Sequence, residues 1–252
     1  MAMPSVRALS RGLAVLEALA RSRQSLTPGE VAGATSLDRA TTSRLLLTLV
    51  EDGFVRRAGE GRYTLTPRLL ELASAGGTAS GLREAARPVM SELRDRYGET
   101  VHLGVVDGGR VVYIEKLEPS HQRVALVTAV GQSMPIHSTA LGKAILSRMS
   151  ESAVKAILDG LGFDAKTPAT ITSKARYLKE LTTTRAHGYA LDHGENLPDA
   201  SCVAAPILDA RGEVVAALSM SSPTFRIADR FAELGPVVRD AAMRISAALG
   251  HT

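Results

Sequence analysis

The sequence predicts an α+β protein with a small, mostly helical N-terminal part and a larger part built on an antiparallel sheet. Apolar side chains recur every three or four positions over residues 6–20, which is the spacing of an amphipathic helix. Runs of alternating side chains turn at the Gly-containing segments 107–110 and 209–212, which is typical of β-hairpins. Small residues fill the segment 74–81, and we place the boundary between the two parts there.

The composition argues against several classes of protein. No apolar run approaches the ~18–20 residues that a membrane-spanning helix needs, and we expect no signal peptide and no membrane partner. The single cysteine, Cys202, cannot form an intrachain disulfide, so we expect a reduced, cytoplasmic protein. Tryptophan is absent and aromatic residues make up 4% of the chain, which argues against single-strand binding by base stacking.

Residues 5–66 contain three predicted helices followed by a hairpin. The second helix opens at Thr27, Pro28 and Glu30, because a threonine three residues before a glutamate forms a capping box and proline suits the first turn. Asp38 is the expected cap of the third helix, whose core face follows helical spacing over four residues: Thr42, Leu45, Leu46 and Leu49. Strand-like runs then flank a Gly-containing turn. This order of elements predicts a winged helix-turn-helix.

Basic side chains concentrate in this part of the chain. Residues 1–80 hold ten arginines, no lysine and seven acidic side chains. Arginine suits bidentate recognition of phosphate and guanine, and a helix fits the major groove of DNA. We therefore expect DNA contacts from the third helix through Arg39, Thr41, Ser43 and Arg44, and from the hairpin through Arg56, Arg57 and Arg62. A module for protein contacts, or an ordinary solvated surface, is the alternative.

The second part alternates predicted helices and strands. The expected helices cover residues 82–97, 138–149, 151–159, 174–187 and 230–249. The expected strands cover residues 101–105, 111–117, 124–128, 202–208 and 213–221. Hairpins imply antiparallel pairing, so we expect a sheet with flanking helices.

The last hairpin indicates which side chains share a face. If Asp209 opposes Gly212, then Cys202 opposes Ser219, and Ser221 lies two residues further on the same face. These three side chains should then converge, with Met220 on the other side. Buried hydroxyls need hydrogen-bond partners, which favours a polar pocket. The alternative is that small residues on this face only allow a helix to pack closely.

A possible partner for these hydroxyls is the predicted helix that begins near residue 138. The free N–H groups of Ala140 and Leu141, at the positive end of the helix dipole, favour an anion such as a small carboxylate. The alternative is that Ser138 or Thr139 merely caps this helix.

A metal site and a nucleophilic site receive little support. His187, Asp192, His193, Glu195 and Cys202 cluster in sequence, but their spacing matches no zinc signature. Cys202 is expected in the middle of a strand, where nothing stabilises a thiolate. We therefore expect no metal, no cofactor and no catalytic residue.

Several segments together resemble the IclR family of bacterial regulators. They are residues 6–13 (VRALSRGL), Arg44-Leu45-Leu46, Gly53-Phe54-Val55, Tyr63-Thr64-Leu65-Thr66, residues 134–144 (MPIHSTALGKA), Arg185, Gly188-Tyr189-Ala190, Asp192, Glu195, residues 202–207 (CVAAPI), Asp209 and Gly212. The resemblance implies a GAF-like effector domain that binds small acids, and dimers or dimers of dimers. It places the effector pocket at Ala140, Leu141, Asp192, Cys202, Ser219 and Ser221.

These arguments lead to one expected function. We expect a winged-helix DNA-binding domain at 5–66, a linker helix and hinge at 67–80, and an effector-binding domain at 81–252. The protein would be a transcription regulator, a repressor rather than an activator, that binds a palindromic double-stranded operator of a catabolic operon. A small organic or aromatic acid would control it. The alternatives are an enzyme with an N-terminal interaction module, or a sensor whose winged helix contacts protein.

Overall fold

The computed structural model describes residues 6–22, 24–75, 78–119 and 128–251. The chain divides into two compact units, residues 1–77 and 78–252. Among the described helices, none combines the length and the apolar character that crossing a membrane requires.

The first unit is a winged helix-turn-helix. Its elements are α1 (Arg7–Arg21), α2 (Pro28–Thr35), α3 (Arg39–Glu51), β1 (Val55–Arg57), β2 (Tyr63–Leu65) and α4 (Arg68–Ala75). Strands β1 and β2 pair antiparallel, and Leu26 forms an isolated bridge with Tyr63 that attaches the hairpin to the segment before α2. The buried core of this unit draws on α1, α2, α3 and the hairpin: Val15, Leu19, Val31, Leu46, Val55 and Tyr63.

The starts of α2 and α3 are capped as predicted. The Thr27 hydroxyl accepts from the Glu30 N–H at 3.3 Å, and the Glu30 carboxylate accepts from the Thr27 N–H at 2.7 Å. The Asp38 carboxylate accepts from the N–H of Thr41 at 2.8 Å. These bonds satisfy donors that a helix start leaves free, so the local sequence fixes where α2 and α3 begin.

The second unit is a six-stranded antiparallel sheet with helices on both faces. The strand order is β5-β4-β3-β8-β7-β6. The strands are β3 (Thr100–Asp107), β4 (Arg110–Leu117), β5 (Ser133–Pro135), β6 (Ala190–Leu197), β7 (Ala200–Leu208) and β8 (Val214–Pro223). The helices are α5 (Thr78–Tyr97), α6 (Ala140–Arg148), α7 (Glu151–Asp159), α8 (Lys174–His187), α9 (Thr224–Ile227) and α10 (Phe231–Ala248).

Alternating side chains of the central strands divide the unit into two cores. Val203 and Met220 point toward α5 and α10 and join one core. Ala204 and Ala217 point toward α6 and α8 and join the other, with Cys202 packed against it. Since successive side chains of a strand point to opposite faces, this alternation fixes which residues face α6.

The predicted register of the β7–β8 hairpin is wrong by two residues. Cys202 lies opposite Ser221, and Ser219 lies opposite Ala204. One residue of the shift comes from the turn, where the first pair is Leu208 with Val214, and one comes from a bulge beside Ile207. A shift of two keeps every side chain on its expected face, so Cys202, Ser219 and Ser221 still share one face.

Other elements also differ from the sequence prediction. Strands β5 and β6 were not expected. The segment 190–197 carries Asp, His, Gly, Glu and Asn, which are poor strand formers, so its composition conceals β6. Of the strand expected at 124–128, residues 124–127 lie outside the described residues, and Thr128 is not in a strand. The helix expected from residue 138 begins at Ala140, because Thr139 caps it.

A close approach holds α6 against the segment before it. A Cβ atom added at Gly142 would collide with the backbone carbonyl of Ile136, which cannot move aside like the end of a side chain. We predict that Gly142→Ala destabilises the second unit by about 3 kcal/mol or more, measured by urea unfolding. Gly81→Ala in α5 is the control, since nothing lies within 4 Å of its added Cβ. Equal stability of the two variants would contradict the prediction.

Candidate functional site

A small cavity of about 40 Å³ lies between the start of α6 and the sheet. All six residues predicted to form the pocket line it: Ala140, Leu141, Asp192, Cys202, Ser219 and Ser221. Other lining residues were missed by the sequence argument, among them His102, Tyr113, Thr128, Met134, Asn196, Leu197 and Ala200. The cavity therefore brings together side chains from β3, β4, β6, β7, β8 and α6.

The start of α6 presents backbone donors to this cavity. The Thr139 hydroxyl accepts from the Gly142 N–H at 3.2 Å, so Thr139 is the cap. The Ser138 hydroxyl donates instead to the Asn196 side chain at 3.0 Å. Within the described part of the chain, the N–H groups of Ala140 and Leu141 make no hydrogen bond. Capping and free donors thus coexist at this helix start.

A buried histidine lies on the other side of the cavity. Nε2 of His102 is 2.8 Å from the Thr128 hydroxyl, and Nδ1 is 3.4 Å from the Ser221 hydroxyl. Its ring stacks on Tyr113 with centroids 4.6 Å apart. Burial, with the nearby positive charge of Lys116, lowers the pKa of His102 to about 3. His102 is therefore neutral at physiological pH.

Asp192 is the acidic group of the cavity. Its carboxylate accepts from the N–H of Glu195 at 2.6 Å. Burial raises the pKa of Asp192 to about 7, against the opposing effect of that hydrogen bond. Burial also raises the pKa of the neighbouring Cys202 thiol, which stays protonated. Below pH 7 the cavity thus contains neutral polar groups at the positive end of a helix.

A buried ion pair behind the cavity holds β6 to α6. Lys143 is 1% exposed, and its Nζ donates to Glu195 Oε1 at 2.5 Å and to the Leu191 carbonyl at 2.9 Å. The N–H of Glu195 in turn holds Asp192. Lys143 therefore positions the acidic wall of the cavity. The sequence contains one indication of this role. Lys143 lies among apolar residues of a predicted helix, and a lysine that is buried there needs a partner.

The sequence could not reveal His102 as a neighbour of the serines. His102 pairs with Ser219 across β3 and β8, and 119 residues separate it from Ser221. No local turn links these strands, so no turn length or hydrophobic pattern sets their register. The pairing follows from the tertiary fold.

The predicted DNA-contacting side chains differ in exposure and in their hydrogen bonds. Arg39, Arg44 and Arg57 are exposed, while Thr41 and Ser43 are half-buried on α3. Arg62 differs, because its guanidinium donates to the Ser25 carbonyl at 2.7 Å and to Glu30 at 3.3 Å. Arg62 thus braces the hairpin against the start of α2, and this contact limits its reach outward.

The two histidines considered as metal ligands have other neighbours. His187 stacks on Tyr189, and the ring of His193 packs on Phe231 with centroids 4.7 Å apart. Within the described ranges, no group of three or more His, Cys, Asp or Glu side chains is placed to hold a metal ion.

Comparison with known families identifies both units. Residues 8–59 match the family model described as the IclR helix-turn-helix domain, and residues 78–247 match that of the bacterial transcriptional regulator IclR C-terminal domain. The chain belongs to the IclR family. The resemblance drawn from the sequence is therefore confirmed.

Curated relatives of this IclR-family chain are regulators. It is 33% identical to the HTH-type transcriptional regulator XynR of Escherichia coli, with 99% of each chain covered. It is 36% identical to the acetate operon repressor of Salmonella typhimurium, with 98% of this chain and 91% of the relative covered. These relatives are named as regulators and repressors, so the expectation of a regulator rather than an enzyme is confirmed.

Solved structures of the IclR family share the fold. The Thermotoga maritima IclR structure superimposes with a TM-score of 0.81 at 30% identity, covering 98% of this chain and all of the other. An IclR homologue from Microbacterium hydrocarbonoxydans, complexed with 4-hydroxybenzoate, gives a TM-score of 0.84 at 27% identity, covering 96% of this chain and 98% of that one. This chain is thus an IclR-type transcription regulator with a DNA-binding helix-turn-helix and an effector-binding C-terminal domain.

The raised pKa of Asp192 predicts a pH-dependent stability. Because its folded pKa of about 7 exceeds the ordinary value of 3.8, the folded protein holds the extra proton between these values. The Asp192 contribution is therefore favourable at low pH and is lost as the pH rises toward 7. We predict that the unfolding free energy of the wild type falls relative to Asp192→Asn by on the order of 3 kcal/mol between pH 4 and pH 7.

Urea unfolding of both proteins across this pH range measures the difference. The variant is a matched control, because asparagine keeps the oxygen that accepts from Glu195 and every other titrating group, including His102. A difference that stays constant with pH would contradict the prediction.

Proposed function

We propose that this IclR-family chain represses a catabolic operon and that a small organic acid controls its binding to the operator. The observation that carries the proposal is the cavity at the start of α6, which is lined both by Ala140 and Leu141, whose N–H groups have no partner among the described residues, and by two serines. The named role of the acetate operon repressor and the 4-hydroxybenzoate in a homologous structure support this proposal.

The chemistry of the cavity favours a carboxylate. The N–H groups of Ala140 and Leu141 and the hydroxyls of Ser219 and Ser221 are donors, and an anion at a helix start gains from the dipole. Protonated Asp192 adds a further donor, whereas ionised Asp192 would repel the same anion. Acid binding should therefore weaken as the pH rises through the pKa of Asp192.

The apolar wall of the proposed site has side chains that suit an aromatic acid. Leu141 and Met134 supply aliphatic surface, and the stacked rings of His102 and Tyr113 supply a flat one. An aromatic ring packs on these side chains, with its carboxylate at the donors, only if the cavity widens beyond its present volume of about 40 Å³.

The proposed operator complex uses α3 as the reading helix. Arg39 and Arg44 are exposed near its start, and neither forms an ion pair with another described residue. Exposed Arg56 and Arg57 in β1 suit phosphate contacts. In this proposal the protein acts in the cytoplasm as a homodimer or a dimer of dimers. Two such helices then contact the two half-sites of a palindrome.

Control by the acid requires that it favour one arrangement of the two DNA-binding units. We assign this coupling to the linker, residues 67–80, which contains α4 and joins the two units. The proposed domain limits are 5–66 for DNA binding and 81–252 for effector binding.

We predict that Arg44→Ala lowers affinity for the operator by about 10- to 100-fold, because a base-reading arginine supplies roughly 1–3 kcal/mol. Fluorescence anisotropy with DNA from upstream of the chain's own gene, in the presence of unrelated competitor, measures the loss. Arg21→Ala on α1 is the control. Specific binding by neither the wild type nor the variant, with acid binding intact, would favour the sensor whose winged helix contacts protein.

We predict that the double variant Ser219→Ala, Ser221→Ala weakens acid binding by roughly 1–3 kcal/mol, because two hydroxyl donors to a charged group are lost. Calorimetry with a panel of small acids that includes 4-hydroxybenzoate measures the change. Ser222→Ala, on the opposite face of β8, is the matched control. Unchanged affinity in the double variant would remove both serines from the site.

A further inference from the structure

An apolar groove continues the small cavity along the same face of the sheet. On β8 the residues Ser219, Ser221 and Pro223 alternate on this face, and on β7 Cys202 and Ala200 lie opposite the last two. Side chains at alternate positions form one continuous strip. The strip is polar at its inner end, near α6, and apolar at its outer end.

The outer end of this strip borders a groove of about 670 Å³. Leu197 and Ala200 line both the groove and the inner cavity, so the two spaces adjoin. Phe225 lies in the groove with 82% of its surface exposed, and Leu197 is 48% exposed. Apolar side chains that are grouped and exposed in this way often mark a binding surface.

The sizes of the two spaces indicate how a ligand would be divided between them. The inner cavity of about 40 Å³ has room for a small head group, whereas the adjoining groove has about 670 Å³. The groove is large enough for an attached body. A ligand that fills both spaces therefore has a small polar end and a longer second part.

The polar groups of the groove limit the chemistry of that second part. The Thr224 hydroxyl interacts with Ser201 at 3.0 Å, and its N–H donates to the Asp199 carbonyl at 2.9 Å, so these groups are already partnered. The carboxylate of Asp199, which also lines the groove, repels an anion. The groove thus suits an uncharged apolar chain and disfavours a second carboxylate.

We propose that the groove between Leu197 and Phe225 takes the apolar tail of a monocarboxylic acid whose head group enters the inner cavity. This inference rests on the proposed acid effector. It adds the chemical class of that acid, which is an amphipathic monocarboxylate longer than the cavity. Affinity then depends on tail length, because each methylene buried in the groove leaves water.

Isothermal titration calorimetry of the full chain with straight-chain acids, from acetate to decanoate, tests the proposal. We expect affinity to rise about three- to fourfold for each methylene that enters the groove. Octanedioate should bind more weakly than octanoate. Phe225→Ser should flatten the dependence on length while leaving the short acids unchanged. Met243→Ser, which removes another exposed apolar side chain, from α10, should behave like the wild type.

Three outcomes would overturn the proposal. If acids bind but affinity does not depend on length, or if Phe225→Ser keeps the full dependence, the groove is not the tail site and the acid pocket stands. If Phe225→Ser changes the oligomeric mass in sedimentation and not the affinity, the groove is a contact between copies. If no acid binds, from acetate to decanoate or in the small-acid panel, both the pocket and the groove are lost.

Discussion

The site depends on the close packing of α6 against the sheet. Residues 140–147 of this helix are all buried, and Gly142 allows its backbone to lie against the Ile136 carbonyl. The same carbonyl accepts from the Tyr177 hydroxyl at 3.1 Å, which ties α8 to this point. Lys143, one residue further along, bonds to Glu195 and orders the wall that carries Asp192. Backbone approach and a buried ion pair thus set the positions of the α6 donors and of Asp192 in the cavity.

Local chemistry made the DNA-binding unit largely predictable from the sequence. Capping by Thr27 and Asp38 acts over three residues, and the core face of α3 follows from helical periodicity. What local pattern could not show is the bond from Arg62 to Ser25, which spans 37 residues. A side chain expected to face DNA therefore partly serves the junction between wing and helix.

In the effector domain, the sequence predicted the face of the sheet on which the side chains of β7 and β8 lie, but it did not predict which residues pair across the two strands. The β7–β8 pairing shifted by two because of its turn and a bulge, and only the even size of the shift preserved the convergence of Cys202 with the serines. The position of His102 beside the serines could not be predicted from the sequence, since its pairing with β8 arises from the tertiary fold. Asp192 was predicted only from the family resemblance. It lies on β6, a strand that could not be predicted because its residues are poor strand formers.

In the proposed mode of binding, the cavity holds an anion without a positively charged side chain. Its described lining contains no lysine or arginine, and its donors are backbone N–H groups, hydroxyls and, below pH 7, the protonated Asp192. Dipoles and hydrogen bonds in a buried space are weakly screened by ions, whereas contacts between arginines and phosphates release counterions. The two proposed complexes of this regulator should therefore respond differently to ionic strength: affinity for the operator falls as the salt concentration rises, whereas acid binding in the cavity changes little.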